Sequence, residues 1–149
     1  MNKKQEIQQS LTAAMKSRDE AIKRTLRLVL SSIKLAEVET GKELDDERIL
    51  GILQKEIKTR DDSIQEAQQA HREDLIQQAL IEKKILSRFL PEQMSTEELN
   101  DLVHKIIQNT GATSMSDMGK VMKELIQKLQ GRASAQDASK VVREQLQKH

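Results

Sequence analysis

The stretch SRFLPEQMSTEEL, Ser87 to Leu99, holds the only proline (Pro91) and the only phenylalanine (Phe89) of the 149-residue chain. Proline has no N–H to donate and pushes the residue before it out of the helical region, so a helix running into Leu90 must stop there. A new helix starts soon after. Ser95 and Glu98 form the S-x-x-E capping box, and Met94 with Leu99 occupy the two positions of a hydrophobic staple. Phe89 and Leu90 are expected to plug the end of the core that precedes the break. The stretch therefore reads as a boundary: an N-terminal helical domain over 1–90, a linker over 91–94 and a C-terminal domain over 95–149.

Upstream, apolar residues recur at helical spacing. Ile7, Leu11, Ala14 and Met15 share one face; Ile22, Leu26, Val29, Leu30 and Ile33 share another. In EVETGKELDDER, Gly41 suits the left-handed close of a helix. Asp45 suits an N-cap, and Leu44 with Ile49 the staple around it. The next pattern runs through Ile49, Leu53, Ile57 and Ile64, then resumes at Leu75, Ala79, Leu86 and Phe89. One helix from Asp46 to Leu90 would exceed ordinary lengths, so a reversal is expected near His71. The result is an N-terminal helical bundle or long helical hairpin.

Downstream, three short helices are expected. The first is marked by Leu99, Leu102, Val103, Ile106 and Ile107, ending at Gly111. The second is marked by Met118, Val121, Met122, Leu125, Ile126 and Leu129, ending at Gly131. The third is marked by Ala138, Val141, Val142 and Leu146, with Ser134 as its cap. Gly119 lies inside the second pattern, where glycine costs on the order of 1 kcal/mol relative to alanine. Either a neighbouring helix packs close there, or a ligand backbone needs the room. A three-helix module of this size is near the lower limit for folding alone and is expected to lean on a neighbour or partner. Nothing alternates as a strand, so the fold class is all-α.

Composition narrows the function. Lysine and arginine number 25 against 24 acids, so any pull toward polyanions must come from local patches. The absence of cysteine excludes disulfides, thiolate metal sites and a cysteine nucleophile. No apolar run approaches the ~20 residues that span a bilayer, and MNKKQEIQQS lacks the apolar stretch of a signal peptide. A cytoplasmic protein without a membrane partner is expected.

No catalytic constellation emerges. His71 falls at a reversal, His104 on a polar face and His149 at the terminus, none in a nucleophile context. Asp101 and His104 have the spacing of a dyad or metal pair but lack a third ligand nearby, so they read as solvated. Asp45-Asp46 and Glu97-Glu98 begin helices, where negative charge is favourable; Asp61-Asp62 reads as a solvated face. No catalytic residue, metal site or cofactor is assigned.

Local charge is more informative. Between Met115 and His149 stand Lys120, Lys123, Lys128, Arg132, Lys140, Arg143 and Lys148 against Asp117, Glu124, Asp137 and Glu144. Lys120 and Lys123 lie opposite the apolar stripe of their helix, and Arg132 follows in the turn. Such a cluster can straddle phosphates or be an ordinary solvated face. A second basic set, Lys23, Arg24, Arg27 and Lys34, admits the same two readings. With one aromatic residue in all, stacking on bases is set aside.

TLRLVLSSIKLAEVE, LQKEIKTRDDSIQEA, FLPEQMSTEEL and DMGKVMKELIQKLQGRASAQDASKVVREQL, in this order and spacing, resemble the GatB/YqeY family. The likeness covers nearly the whole chain. Its last three helices look like the tail domain of the B subunit of the bacterial tRNA-dependent amidotransferase, a domain that helps hold tRNA. The matching positions are Met118, Gly119, Lys120, Val121, Met122, Gly131 and Arg132. Ser134 departs from the aspartate often found there; serine can still cap the last helix, but not supply a carboxylate to a ligand. The catalytic part of the B subunit and the serine-lysine signature of its glutaminase partner have no counterpart here. The resemblance thus implies an accessory protein with no activity of its own, and the local charge gives Lys120, Lys123, Lys128, Arg132, Lys140 and Arg143 as its expected binding residues. The partners it implies are tRNA, an aminoacyl-tRNA synthetase or amidotransferase subunits. Its alternatives are a non-catalytic component of a carbon–nitrogen ligase with glutamine as amido-N donor, or a protein–protein interaction module. Pro91, Ser95, Glu98, Gly119 and Gly131 are expected to shape the fold.

Overall fold

The computed structural model describes residues 2–148; Met1 and the third histidine, His149, lie outside them. The chain is all-α. Its helices are α1 (Lys3–Ser17), α2 (Glu20–Thr40), α3 (Asp46–Gln69), α4 (Glu73–Ser87), α5 (Thr96–Thr110), α6 (Met118–Leu129) and α7 (Ala135–Gln147). A 3-10 turn, Met115–Asp117, leads into α6, and the described residues contain no strand. The chain divides into two compact units between Leu90 and Pro91.

In the first unit the starts of α1, α2 and α3 are fixed by side chains that accept otherwise orphaned N–H groups, whereas α4 begins at Arg72 without a side-chain cap. Asn2 caps α1 and Gln5 completes its box. Asp19 accepts from the Ile22 N–H at 3.1 Å to start α2, and Asp45 from the Arg48 N–H at 2.9 Å to start α3. The core is built from Ile7, Leu26, Val29, Ile33, Ile49, Leu53, Ile85, Leu86 and Phe89, with Leu44 and Leu90 packed at its rim. Burying each large aliphatic side chain contributes roughly 1.5–3 kcal/mol. The α1 face is narrower than its pattern suggests: Met15 lies about 80° round the helix from Ile7 and is exposed.

The reversal between α3 and α4 falls at His71, which takes a left-handed φ of 55°. Across the two helices Lys83 pairs with Asp61 at 2.7 Å, a solvent-accessible ion pair, and Asp62 beside it is exposed. Arg60 is buried beside them. Its Nη1 lies 2.8 Å from Glu56 and its Nε 3.2 Å from Glu82, the latter an ion pair without hydrogen-bond geometry. Arg24 of α2 approaches the same Glu82 at 3.7 Å. The cleft lined by Arg60, Ala67, Leu75, Ala79 and Glu82 thus has its buried charges matched to one another.

In the second unit α5, α6 and α7 enclose Leu99, Val103, Ile106, Ile107, Val121, Leu125, Leu129, Ala138, Val142 and Leu146, with Met94 and Met118 at the rim. The Ser95–Glu98 box starts α5, Gly111 (φ 71°) closes it, and Ser134 caps α7 through the Asp137 N–H. Three expectations change. α6 ends one residue early, because Gln130 (φ 50°) takes the left-handed conformation and Gly131 (φ 78°) follows it. Gly119 sits in the first turn of α6 rather than mid-helix, and a Cβ there would meet nothing within 4 Å. Close helix packing is therefore not what it serves. Ile126, expected in the stripe, is exposed, on the flank of the buried line through Val121, Leu125 and Leu129.

Candidate functional site

The segment expected as a linker is bonded to the α6–α7 turn. The Met94 N–H donates to the Arg132 carbonyl at 2.8 Å, and Gln93 Nε2 to the Gly131 carbonyl at 3.0 Å. Arg132 returns two bonds, from Nε to the Glu92 carbonyl at 2.9 Å and from Nη2 to Glu98 Oε2 at 3.0 Å. Glu98 thereby joins the capping box to the turn. The Ser95 N–H, and after it the Arg132 guanidinium, hold its carboxyl below the usual carboxylate range. Arg132 is thus ion-paired and hydrogen-bonded within its own unit.

The other five cations separate by helix geometry. With Val121, Leu125 and Leu129 facing inward, Lys120 and Lys123 fall roughly 150° from the buried line of α6, and both are exposed. On α7, Ala138, Val142 and Leu146 face inward, while Lys140 and Arg143 form the outward ridge. Among the described residues none of these four is ion-paired. Lys128 is, to Glu124 one turn earlier at 3.8 Å. Four of the six expected residues thus present free charge, and two are engaged within their own unit.

The 3-10 turn before α6 adds a feature the sequence reading missed. Asp117 accepts from the N–H groups of Thr113 at 2.9 Å and Ser114 at 3.3 Å. These bonds, helped slightly by the Lys120 charge, hold its carboxyl below the ordinary range. Ser114 and Asp117 form a capping box of their own. Their S-x-x-D spacing was the available signal. The turn fixes the start of α6, and so the direction in which Lys120 and Lys123 project.

Asp101 and His104 are both exposed on α5, and among the described residues no three His, Cys, Asp or Glu side chains converge. Nor is any described helix long and apolar enough to cross a membrane. In the second basic set, Lys23 pairs with Glu20 at 3.2 Å and Arg24 approaches Glu82, leaving Arg27 and Lys34 exposed and without an ion pair among the described residues.

Two curated proteins are similar to part of this chain. An uncharacterized protein of Schizosaccharomyces pombe is 34% identical over 89 residues, covering 60% of this chain and 72% of its own length. Altered inheritance of mitochondria protein 41, a mitochondrial protein of Kluyveromyces lactis, is 37% identical over 105 residues. That match covers 68% of this chain but 56% of the relative, so the chain spans little more than half of that protein. The family model described as Yqey-like protein matches residues 4–146, both compact units and the boundary between them, and the chain belongs to the YqeY-like family.

Proposed function

We propose that the second unit docks folded RNA by its phosphate backbone, through Lys120, Lys123, Lys140 and Arg143, without chemistry of its own. The observation that carries this reading is the set of four outward cations that make no ion pair among the described residues, whereas Lys128 on α6 and Arg132 in the α6–α7 turn are paired within the unit. Phe89, the only Phe, Tyr or Trp residue, is buried and offers no ring for base stacking, so recognition rests chiefly on charge and shape. The resemblance of the last three helices to the amidotransferase tail makes tRNA the RNA to test.

Four phosphate contacts weaken binding about 10²-fold between about 50 and 200 mM salt. A tRNA mobility-shift series across that range is expected to show this slope. Lys123→Ala is expected to lower the slope by about 1 and to weaken binding to different tRNAs alike. Binding indifferent both to salt and to charge reversal at Lys123, Lys140 and Arg143 would overturn the proposal.

A further inference from the structure

α2 carries a different kind of surface. Its inward line, Leu26, Val29 and Ile33, is fully buried, yet on its outward side Leu28, Leu35 and Val38 are 47%, 62% and 71% exposed. Together with Arg24 and Ser31 these residues recur at alternating steps of four and three, the spacing of a two-heptad seam. Single exposed leucines are ordinary, but here three large apolar residues line one seam, with Ser31 between the two leucines. The residue before each leucine is basic. Arg27 and Lys34 are exposed on the same flank, unpaired among the described residues. Glu39 stands beside the far end, whereas Glu37 turns inward to Lys4 and the Leu44 N–H.

The seam chooses its occupant by charge and by apolarity together. A phosphate backbone meets the cations but gains nothing from desolvating leucine. A second copy of α2 meets the leucines but matches the cations less well: antiparallel pairing sets Arg27 against Lys34, and parallel pairing brings Lys34 to the copy's Glu39 but leaves Arg27 opposite Ser32 and sets Arg24 against Arg24. A helix with its own apolar stripe and acidic flanks answers both features. We propose that α2 docks such an amphipathic, acid-flanked helix of a partner protein. Leu28, Leu35 and Val38 supply the contact area, Ser31 allows close approach between them, and Arg27 and Lys34 select the acidic flank. This surface is independent of the RNA reading.

The test uses the full chain and a labelled helical peptide of about three heptads, with leucine along the seam and glutamate on both flanks, followed by fluorescence anisotropy. Binding is expected, weakened about tenfold or more by Leu35→Glu. A lysine-flanked peptide is expected to bind the wild type poorly and the Arg27→Glu/Lys34→Glu variant better. All these positions are exposed, and unchanged helical circular dichroism confirms that each variant folds. Equal affinity for the two peptides, or indifference to Leu35→Glu, overturns the proposal. So does a wild-type dimer in sedimentation that Leu35→Glu dissociates, which assigns the seam to a second copy. Seam-dependent binding to phosphatidylglycerol-containing vesicles without peptide binding overturns it in favour of a lipid surface.

Discussion

The Arg132 side chain donates to Glu92 and Glu98 while its backbone carbonyl accepts from Met94, so one residue holds the start of the second unit to the α6–α7 turn. The Ser95–Glu98 box was legible because its partners lie three residues apart. The bond from Arg132 to Glu98 spans 34 residues, and no local pattern announces it. Its contribution is open to titration. The Glu98 carboxyl is held below its ordinary 4.5, first by the Ser95 N–H and then by Arg132. Folding therefore favours the charged form. Its contribution is complete above the unfolded value and disappears as pH falls through the lower folded value. Glu98→Gln keeps a side chain suited to the box but removes the charge. Chemical denaturation at about pH 6 should find wild type more stable, and the gap should close below about pH 4.5. Glu37, Asp74 and Asp117, also held low, are common to both proteins and drop out of the difference. A gap that persists unchanged into acid would show that the carboxylate charge contributes nothing.

Helix starts were more legible than helix ends. Ser, Asp and capping-box spacings declare an N-terminus because the side chain itself makes the bond, and Asp45, Ser95 and Ser134 all do so. Gly41 and Gly111 declared their ends for the converse reason, the lack of a Cβ at positive φ. Arg18, His71 and Gln130 take the same left-handed conformation without any side-chain signature, driven by where the chain must go next. Buried faces erred in the same way: the pattern of α2 identified Leu26, Val29 and Ile33 but not the outward seam of Leu28, Leu35 and Val38. The α6 terminus gives opposite signs at adjacent residues. Gly131→Ala is expected to cost about 1–2 kcal/mol, since φ is 78° there. Gln130→Gly relieves strain but loosens the unfolded chain, for a net effect between zero and a gain of about 1 kcal/mol. Thermal or urea unfolding of the two variants checks this, and a loss on Gln130→Gly comparable to that of Gly131→Ala would show that the Gln130 side chain, not its backbone, holds the turn.

At the scale of the molecule, helical periodicity made the fold class legible, while a net charge of +1 concealed two cationic surfaces of different character. On α6 and α7 the outward cations stand mostly among polar residues, Ile126 excepted; on α2 they flank leucines. Which cations were free could not be read from sequence, because pairing depends on contacts such as Arg24 with Glu82 and Arg132 with Glu98, far apart along the chain. The cores divide as well. Among the described residues one cluster draws only on positions 7 to 89 and the other only on positions 99 to 146, with no shared member. Leu53 and Leu125 are fully buried, one in each. Truncating either to alanine removes packed methyl groups and leaves a cavity, a loss of about 3–5 kcal/mol. Because the clusters share no side chain, each loss should stay within its own unit. Native-state hydrogen exchange should then show Leu53→Ala lowering protection in α2, α3 and α4 while α5 to α7 keep theirs, and Leu125→Ala the reverse. If either variant lowered protection equally in both sets of helices, the two cores would be one cooperative unit despite sharing no residue.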